Sequence, residues 1–359
     1  MAIDDTVLRV YPAPGAQQTD IFFDAGTYSA FPHLAMLDGE EMIVAFRQAP
    51  REAVVRHTHP RSVITVMRSY DLGRSWDGEG SAQLAAGGVQ EFSLLYAGGG
   101  RVVGALAKHH VVSLGEGARA GFPSQRHEYP YRLAGAYWAW SENHGLTWRL
   151  EDVRLVEPGT MPSSATIRLN DGSILMATYG SPSVPVCSAF AHRTTDGGVT
   201  WSKPVVMAEG SERTRVYQEP AVVELEPGRI LALHRTDQNK VDNPGIFWRN
   251  ESDDCGRSWT QPEETGIFSG ACPRLLKAAD GRIVLTFGRR RKPFGVRAMI
   301  SSDGGRTWGD TAWVLREAAN GNQGYTSSLQ LADGSMFTAC YGENDAGVTG
   351  IVGTFWRLP

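Results

Sequence analysis

The 359 residues are 42% hydrophobic, enough for a large core, and carry 35 Lys and Arg against 39 Asp and Glu, a formal net charge of -4. Cations scattered through an acidic chain exclude the dense basic footprint of a nucleic-acid or anionic-membrane binder. No apolar run approaches the roughly 18 residues of a bilayer span, and no basic-then-apolar leader opens "MAIDDTVLRVYPAPG", so the sequence as given is expected in the cytoplasm, or outside it if a leader has been removed.

In chain order, the first predicted strand is "TVLRVY". It is followed by six segments of one design: an apolar strand, a turn and a second apolar strand. They are "HLAMLDGEEMIVAFR", "SLLYAGGGRVVGALAK", "ATIRLNDGSILMATYG", "AVVELEPGRILALHR", "RLLKAADGRIVLTFGR" and "SSLQLADGSMFTACYG". Each reads as a β-hairpin. After each of the first five comes a second repeat: "SYDLGRSW", "SENHGLTW", "TTDGGVTW", "SDDCGRSW" and "SSDGGRTW", with starts separated by 72, 53, 58 and 49 residues. In the common form S-x-D-x-G-x-x-W, Ser or Thr and Asp bond nearby backbone amides, Gly takes the positive φ of a tight turn, and Trp buries a large apolar face beneath it. That interval suits a four-stranded unit. The expectation is an all-β, six-bladed β-propeller in one domain, residues 1–359, with the boxed turns structural. The sixth blade is expected to close by pairing "TVLRVY" with "IVGTFWRLP", which removes the exposed sheet edges.

A site must come from positions that differ between blades. Aligned on their turns, the first strands offer Phe31, Glu91, Ser163, Glu219, Cys272 and Tyr325. The second strands end in Arg47, Lys108, Gly180, Arg235, Arg289 and Gly342. Arg or Lys at four of six strand ends is either an anion site, since guanidinium pairs bidentately with carboxylate, or a set of outward-facing ends. Four widely spaced cysteines, 187, 255, 272 and 340, show no metal or redox spacing and are expected as reduced thiols.

These turns and hairpins resemble the sialidase (neuraminidase) superfamily, six-bladed propellers with Asp-box turns. "YQEPAVVELEPGRILALHR" is similar to the family segment in which Glu opens a strand and Arg ends the hairpin. The resemblance implies Glu219 as the assisting carboxylate and Arg235 as one of three substrate-binding arginines. "GYTSSLQLADGSMFTACYGE" resembles the segment carrying the nucleophilic tyrosine, here Tyr325. The chemistry is coherent: a phenol of pKa about 10 needs a nearby base to attack at neutral pH, and tyrosine is the known exception to the two-carboxylate glycosidase scheme.

Two departures stand out. The family's first arginine falls on "SAFPHL", where Ala30 or Phe31 takes its place, leaving Arg47 as a substitute guanidinium. The third falls in "GRRRKPFGVR", which offers Arg289, Arg290, Arg291 and Arg297; register favours Arg289, and Arg297 precedes the boxed strand. The family's proton-donating Asp is missing between Asp38 and Asp71, and that loop reads "VRHTHPRS". His57 or His59 is the expected replacement, with a His-x-His metal site and a solvated loop as alternatives. His33 and Glu91 are expected to bind substrate, and His109 and His110 to lie near enough to join. The implied activity is retaining hydrolysis of a terminal acidic sugar, a sialic, keto-deoxy or uronic acid, without cofactor or metal and with carbohydrate rather than nucleic acid or membrane as partner. A propeller lyase acting on a uronate and a non-catalytic glycan-binding propeller are the alternatives.

Overall fold

The computed structural model describes residues 8–53, 58–84, 87–112, 129–148, 152–182, 186–211, 216–236, 245–268 and 270–359. Two strands precede the first hairpin, β1 (Arg9–Pro12) and β2 (Gln17–Phe22). Blade one is β3 (Thr27–Met36), β4 (Met42–Pro50), β5 (Val63–Ser69) and β6 (Asp77–Leu84). Blade two is β7 (Val89–Gly98), β8 (Arg101–Val111), β9 (Tyr131–Ser141) and β10 (Arg154–Pro158), and blade three is β11 (Thr160–Arg168), β12 (Ile174–Gly180), β13 (Ser188–Thr194) and β14 (Val205–Ala208). Blade four is β15 (Tyr217–Glu226), β16 (Arg229–Thr236), β17 (Ile246–Ser252) and β18 (Glu263–Phe268); blade five is β19 (Arg274–Lys277), β20 (Ile283–Arg289), β21 (Gly295–Ser301) and β22 (Thr311–Glu317). The sixth adds β23 (Gly324–Gln330), β24 (Met336–Glu343) and β25 (Thr349–Trp356) to β2 in the order β2-β25-β24-β23. The fold is thus the expected all-β six-bladed β-propeller of antiparallel four-stranded blades.

One expected pairing is different. The strand beside β25 is β2, "QQTDIF", while β1 adds a fifth strand to blade five, running parallel to β22 with Arg9 opposite Thr311. The turn through Ala13 to Ala16 separates them, with the Ala16 amide donating to the Ala13 carbonyl. "TVLRVY" is the more apolar stretch, but its exposed Val10 and Tyr11 show it to be an edge strand.

The contacts divide the chain into two compact units, residues 20–162 with 341–352, and residues 1–19, 163–340 and 353–359. In the first, blades one and two pack Ile43, Ile64 and Val66 against Phe92, Leu94 and Leu106. In the second, Leu175 and Met207 of blade three meet Val222 and Ile230 of blade four, and Leu231 and Phe247 of blade four meet Leu285 and Phe287 of blade five. Each such aliphatic side chain contributes about 1.5–3 kcal/mol by burial. Central strands covered on both sides read as the unbroken apolar runs of the hairpins.

The boxed turns repeat one hydrogen-bond set. In blade five the Gly305 amide donates to Ser301 Oγ at 2.8 Å, Ser301 Oγ donates to Asp303 Oδ1 at 2.7 Å, and the Thr307 amide donates to Asp303 Oδ1 at 2.9 Å. Gly305 has φ +81°, and a Cβ there would lie 2.3 Å from Leu231 of the preceding blade. Glycine is therefore needed both for the turn and for blade packing.

Candidate functional site

Glu219 and Tyr325 both sit near the start of the first strand of a blade. In blade four the register with β16 shifts between Gln218 and Ala221, and Pro220, which has no amide to donate, follows Glu219. Glu219 has φ +44° and Tyr325 φ +49°. The same left-handed torsion, φ +60°, recurs at Phe31, ahead of Pro32 and beside a register shift between Ala30 and His33. The three residues aligned by sequence are therefore equivalent in backbone as well as in order.

Within the unit that holds both, the Tyr325 hydroxyl donates a short hydrogen bond to Glu219 Oε1. Arg235 Nη1 lies 2.8 Å from each carboxylate oxygen of Glu219. Glu219 is buried, while Tyr325 and Arg235 are half-buried and so retain an accessible side. The Arg290 guanidinium lies over the Tyr325 ring, 5.5 Å from its centre, and its Nε donates to the Gln323 carbonyl at 3.2 Å. Buried Arg274 donates from Nε to the Thr326 carbonyl at 3.3 Å, tying the strand of Tyr325 to blade five. Gly288 and Gly324 allow that approach, since a Cβ on Gly288 would lie 2.7 Å from the Gly324 Cα. The arrangement is a phenol with its proton directed at a carboxylate, which a guanidinium holds in place.

The other blade-five arginines serve their own hairpin. Arg289 Nη1 donates to the carbonyls of Arg291 and Pro293 at 2.6 and 2.8 Å. Buried Arg297 engages the Arg316 carbonyl and Glu317 Oε2 at 3.3 and 3.4 Å. Both line an apolar cavity with Leu8, Val10 and Phe287. Arg290 and Arg274 are the blade-five arginines on the Tyr325 strand; the first stands in the run "GRRRKPFGVR", and the second only two residues after Cys272.

The remaining expected residues lie in the unit of blades one and two. Arg47 is fully buried, pairs in register with Ala30 and has its guanidinium 5.7 Å from the Tyr28 ring centre. His33 links the two blades: its Nδ1 accepts from the Leu94 amide at 3.1 Å, and its Nε2 lies 3.4 Å from Ser93 Oγ. Glu91 is buried near the start of β7. His57 falls outside the described residues. His59 is buried; its Nδ1 accepts from the Arg61 amide at 3.0 Å, so the proton of the neutral ring is on Nε2, which faces Glu52 Oε1 at 3.2 Å. The Tyr129 hydroxyl donates to the same Glu52 oxygen at 2.6 Å. Burial lowers the His59 pKa, with Glu52 opposing and Arg47 and Arg61 adding to the fall. Glu52, Arg51, His59, Tyr28 and Glu343 line a cavity of about 110 Å³. Glu52 is a carboxyl that a search of this loop for Asp passes over. Among the described residues no group of three or more His, Cys, Asp or Glu side chains is placed to hold a metal, and none of the four cysteines is in a disulfide.

The structure is similar to that of a Dyadobacter fermentans protein of unknown function, with TM-score 0.81 and 23% identity over 96% of this chain and 100% of that one. It is also similar to a Hadza microbial sialidase, with TM-score 0.66 and 18% identity over 92% of this chain and 66% of that one. A Trypanosoma rangeli sialidase gives TM-score 0.64 and 14% identity, covering 96% of this chain and 60% of that one. The chain thus spans less than two thirds of the length of these two sialidases. No curated protein sequence matches significantly. The model of the BNR repeat-like domain matches residues 122–338, more than half of the chain. With its six blades and five boxed turns, the chain belongs to the BNR repeat-like family, as a sialidase-like propeller.

Proposed function

We propose that the protein is a retaining exo-glycosidase that hydrolyses a terminal acidic sugar, a sialic acid or a related keto-deoxy or uronic acid. The observation that carries this reading is the Tyr325 hydroxyl donating to Glu219 Oε1. Glu219 takes the phenol proton as Tyr325 Oη bonds to the anomeric carbon; the glycosidic C–O bond breaks, and its oxygen leaves with a proton from a general acid. Water then attacks the same carbon as its bond to Tyr325 Oη breaks, that acid residue now accepting the water proton, while Tyr325 recovers its own from Glu219. Arg235 holds the Glu219 carboxylate toward the phenol, and Arg290 covers the ring. The sialidases among the similar structures support a carbohydrate ligand.

Turnover of a panel of acidic aryl glycosides by wild type, Tyr325→Phe and Glu219→Gln tests the reading. Each substitution is expected to lower kcat by at least about 100-fold, the scale of a lost nucleophile or base. Turnover that survives both changes would overturn the mechanism. A product absorbing in the near ultraviolet would identify a lyase instead, and sugar binding with no turnover would identify a binding protein.

A further inference from the structure

Blades three and four form a groove of about 360 Å³ of mixed polar and apolar lining between their boxed turns, lined by Arg193, Thr195, Thr200, Trp201, Ser202 and Arg257 among others. Its volume lies in the range of small-molecule sites, about 300–1,000 Å³. None of its residues belongs to the Tyr325 site. We propose that this groove is an accessory binding site for a neutral pyranose unit of a glycan.

The chemistry of the walls selects that ligand. Trp201 is half-buried and lines the groove, so the indole keeps some open surface for contact with the C–H face of a sugar ring. Around it stand the exposed hydroxyl residues Thr195, Thr200 and Ser202 and two guanidinium groups, which match the alternating donors and acceptors of sugar hydroxyls. One of the two charges is countered. Arg193 is paired with Asp171, and Arg257 Nη1 donates to the Asp254 carbonyl at 2.6 Å. With Asp171 beside one of its two cations, the groove suits sugar hydroxyls better than a phosphate or sulfate.

The polar groups are also held before any ligand arrives. Thr200 Oγ1 donates to Asp196 Oδ2 at 2.6 Å, and the Arg193 amide donates to Ser202 Oγ at 3.0 Å. A preorganised site orders fewer side chains on binding and so keeps more of its contact energy.

Saturation-transfer NMR and calorimetry with lactose and sialyllactose test this on wild type, Thr195→Arg, Arg257→Ala and Tyr325→Phe. Thr195 and Arg257 are exposed, and unchanged circular dichroism and melting temperature would verify that these variants fold. Wild type is expected to bind both sugars with millimolar affinity. Thr195→Arg, which fills the groove, and Arg257→Ala are each expected to weaken lactose binding at least about fivefold, the loss of one hydrogen-bonded contact. Tyr325→Phe is expected to bind lactose as wild type does, whatever it does to turnover. No lactose signal, a signal unaffected by both groove variants, or one removed by Tyr325→Phe would overturn the proposal. A glycosidase reading that failed would leave this result untouched.

Discussion

Glu219 and Tyr325 hold left-handed torsions of φ +44° and +49°, which cost a non-glycine residue roughly 1–2 kcal/mol each. The surroundings enforce both: Pro220 and the register shift at one, the close approach of Gly288 and Gly324 at the other. The result is a phenol and a carboxylate from blades four and six brought into a single hydrogen bond. Glu52 receives comparable attention from its neighbours, with His59 and Tyr129 on the same oxygen. Because burial lowers the His59 pKa, the ring is neutral near pH 7 and acts there as a hydrogen-bond donor. Glu52 opposes that fall, so Glu52→Gln is expected to lower the His59 pKa further. NMR titration of the ring checks this, and an unchanged titration would remove Glu52 as its partner. Tyr325 and Glu219 were legible as residues because their positions break a repeat. Arg290 was not separable from Arg289 and Arg291, because sequence does not give the turn that sends three adjacent side chains to different partners.

The boxed turn is the element most completely readable from sequence. Every letter of S-x-D-x-G-x-x-W has a bond or a contact, so five copies in different blades carry the same set. At one of the variable positions Leu72, His144 and Cys255 occupy the place that Gly197 and Gly304 fill in blades three and five, all with positive φ between 58° and 75°. Leu72→Gly should therefore stabilise the protein by about 1 kcal/mol, measured as a higher denaturation midpoint; a lower midpoint would mean that the Leu72 side chain contributes more by packing than its torsion costs. Ser301→Ala should have the opposite sign. Ser301 is buried, and its Oγ accepts from the Gly305 amide and donates to Asp303, so its removal should cost about 1–3 kcal/mol. The order of β1 and β2 was harder to read. Apolar content marks "TVLRVY" as a strand without saying which sheet edge it joins, and "QQTDIF" gains its place beside β25 from pairing that its composition does not announce.

At the scale of the molecule, two buried histidines link blades three and four to the pH of the medium. His192 Nε2 lies 2.9 Å from Thr178 Oγ1, and His234 Nε2 donates to Asn250 Oδ1 at 2.8 Å. Asn250 in turn donates to the Met207 carbonyl of blade three and the Thr260 carbonyl of blade four, at 2.6 and 3.0 Å. Burial lowers both histidines from 6.5 to about 4, with the Asn250 bond opposing the fall at His234. A histidine whose folded pKa lies below its unfolded value binds its proton more readily when the chain unfolds. Stability is then full above pH 6.5, declines as pH falls between 6.5 and about 4, and loses no more to these groups below that. At about 1.4 kcal/mol per pKa unit, each histidine accounts for roughly 3 kcal/mol of that decline. Urea denaturation of wild type and of the double variant His192→Gln/His234→Gln across this interval measures the effect. The variant should be less stable at neutral pH and show a shallower acid slope; parallel slopes would assign the acid sensitivity to other groups.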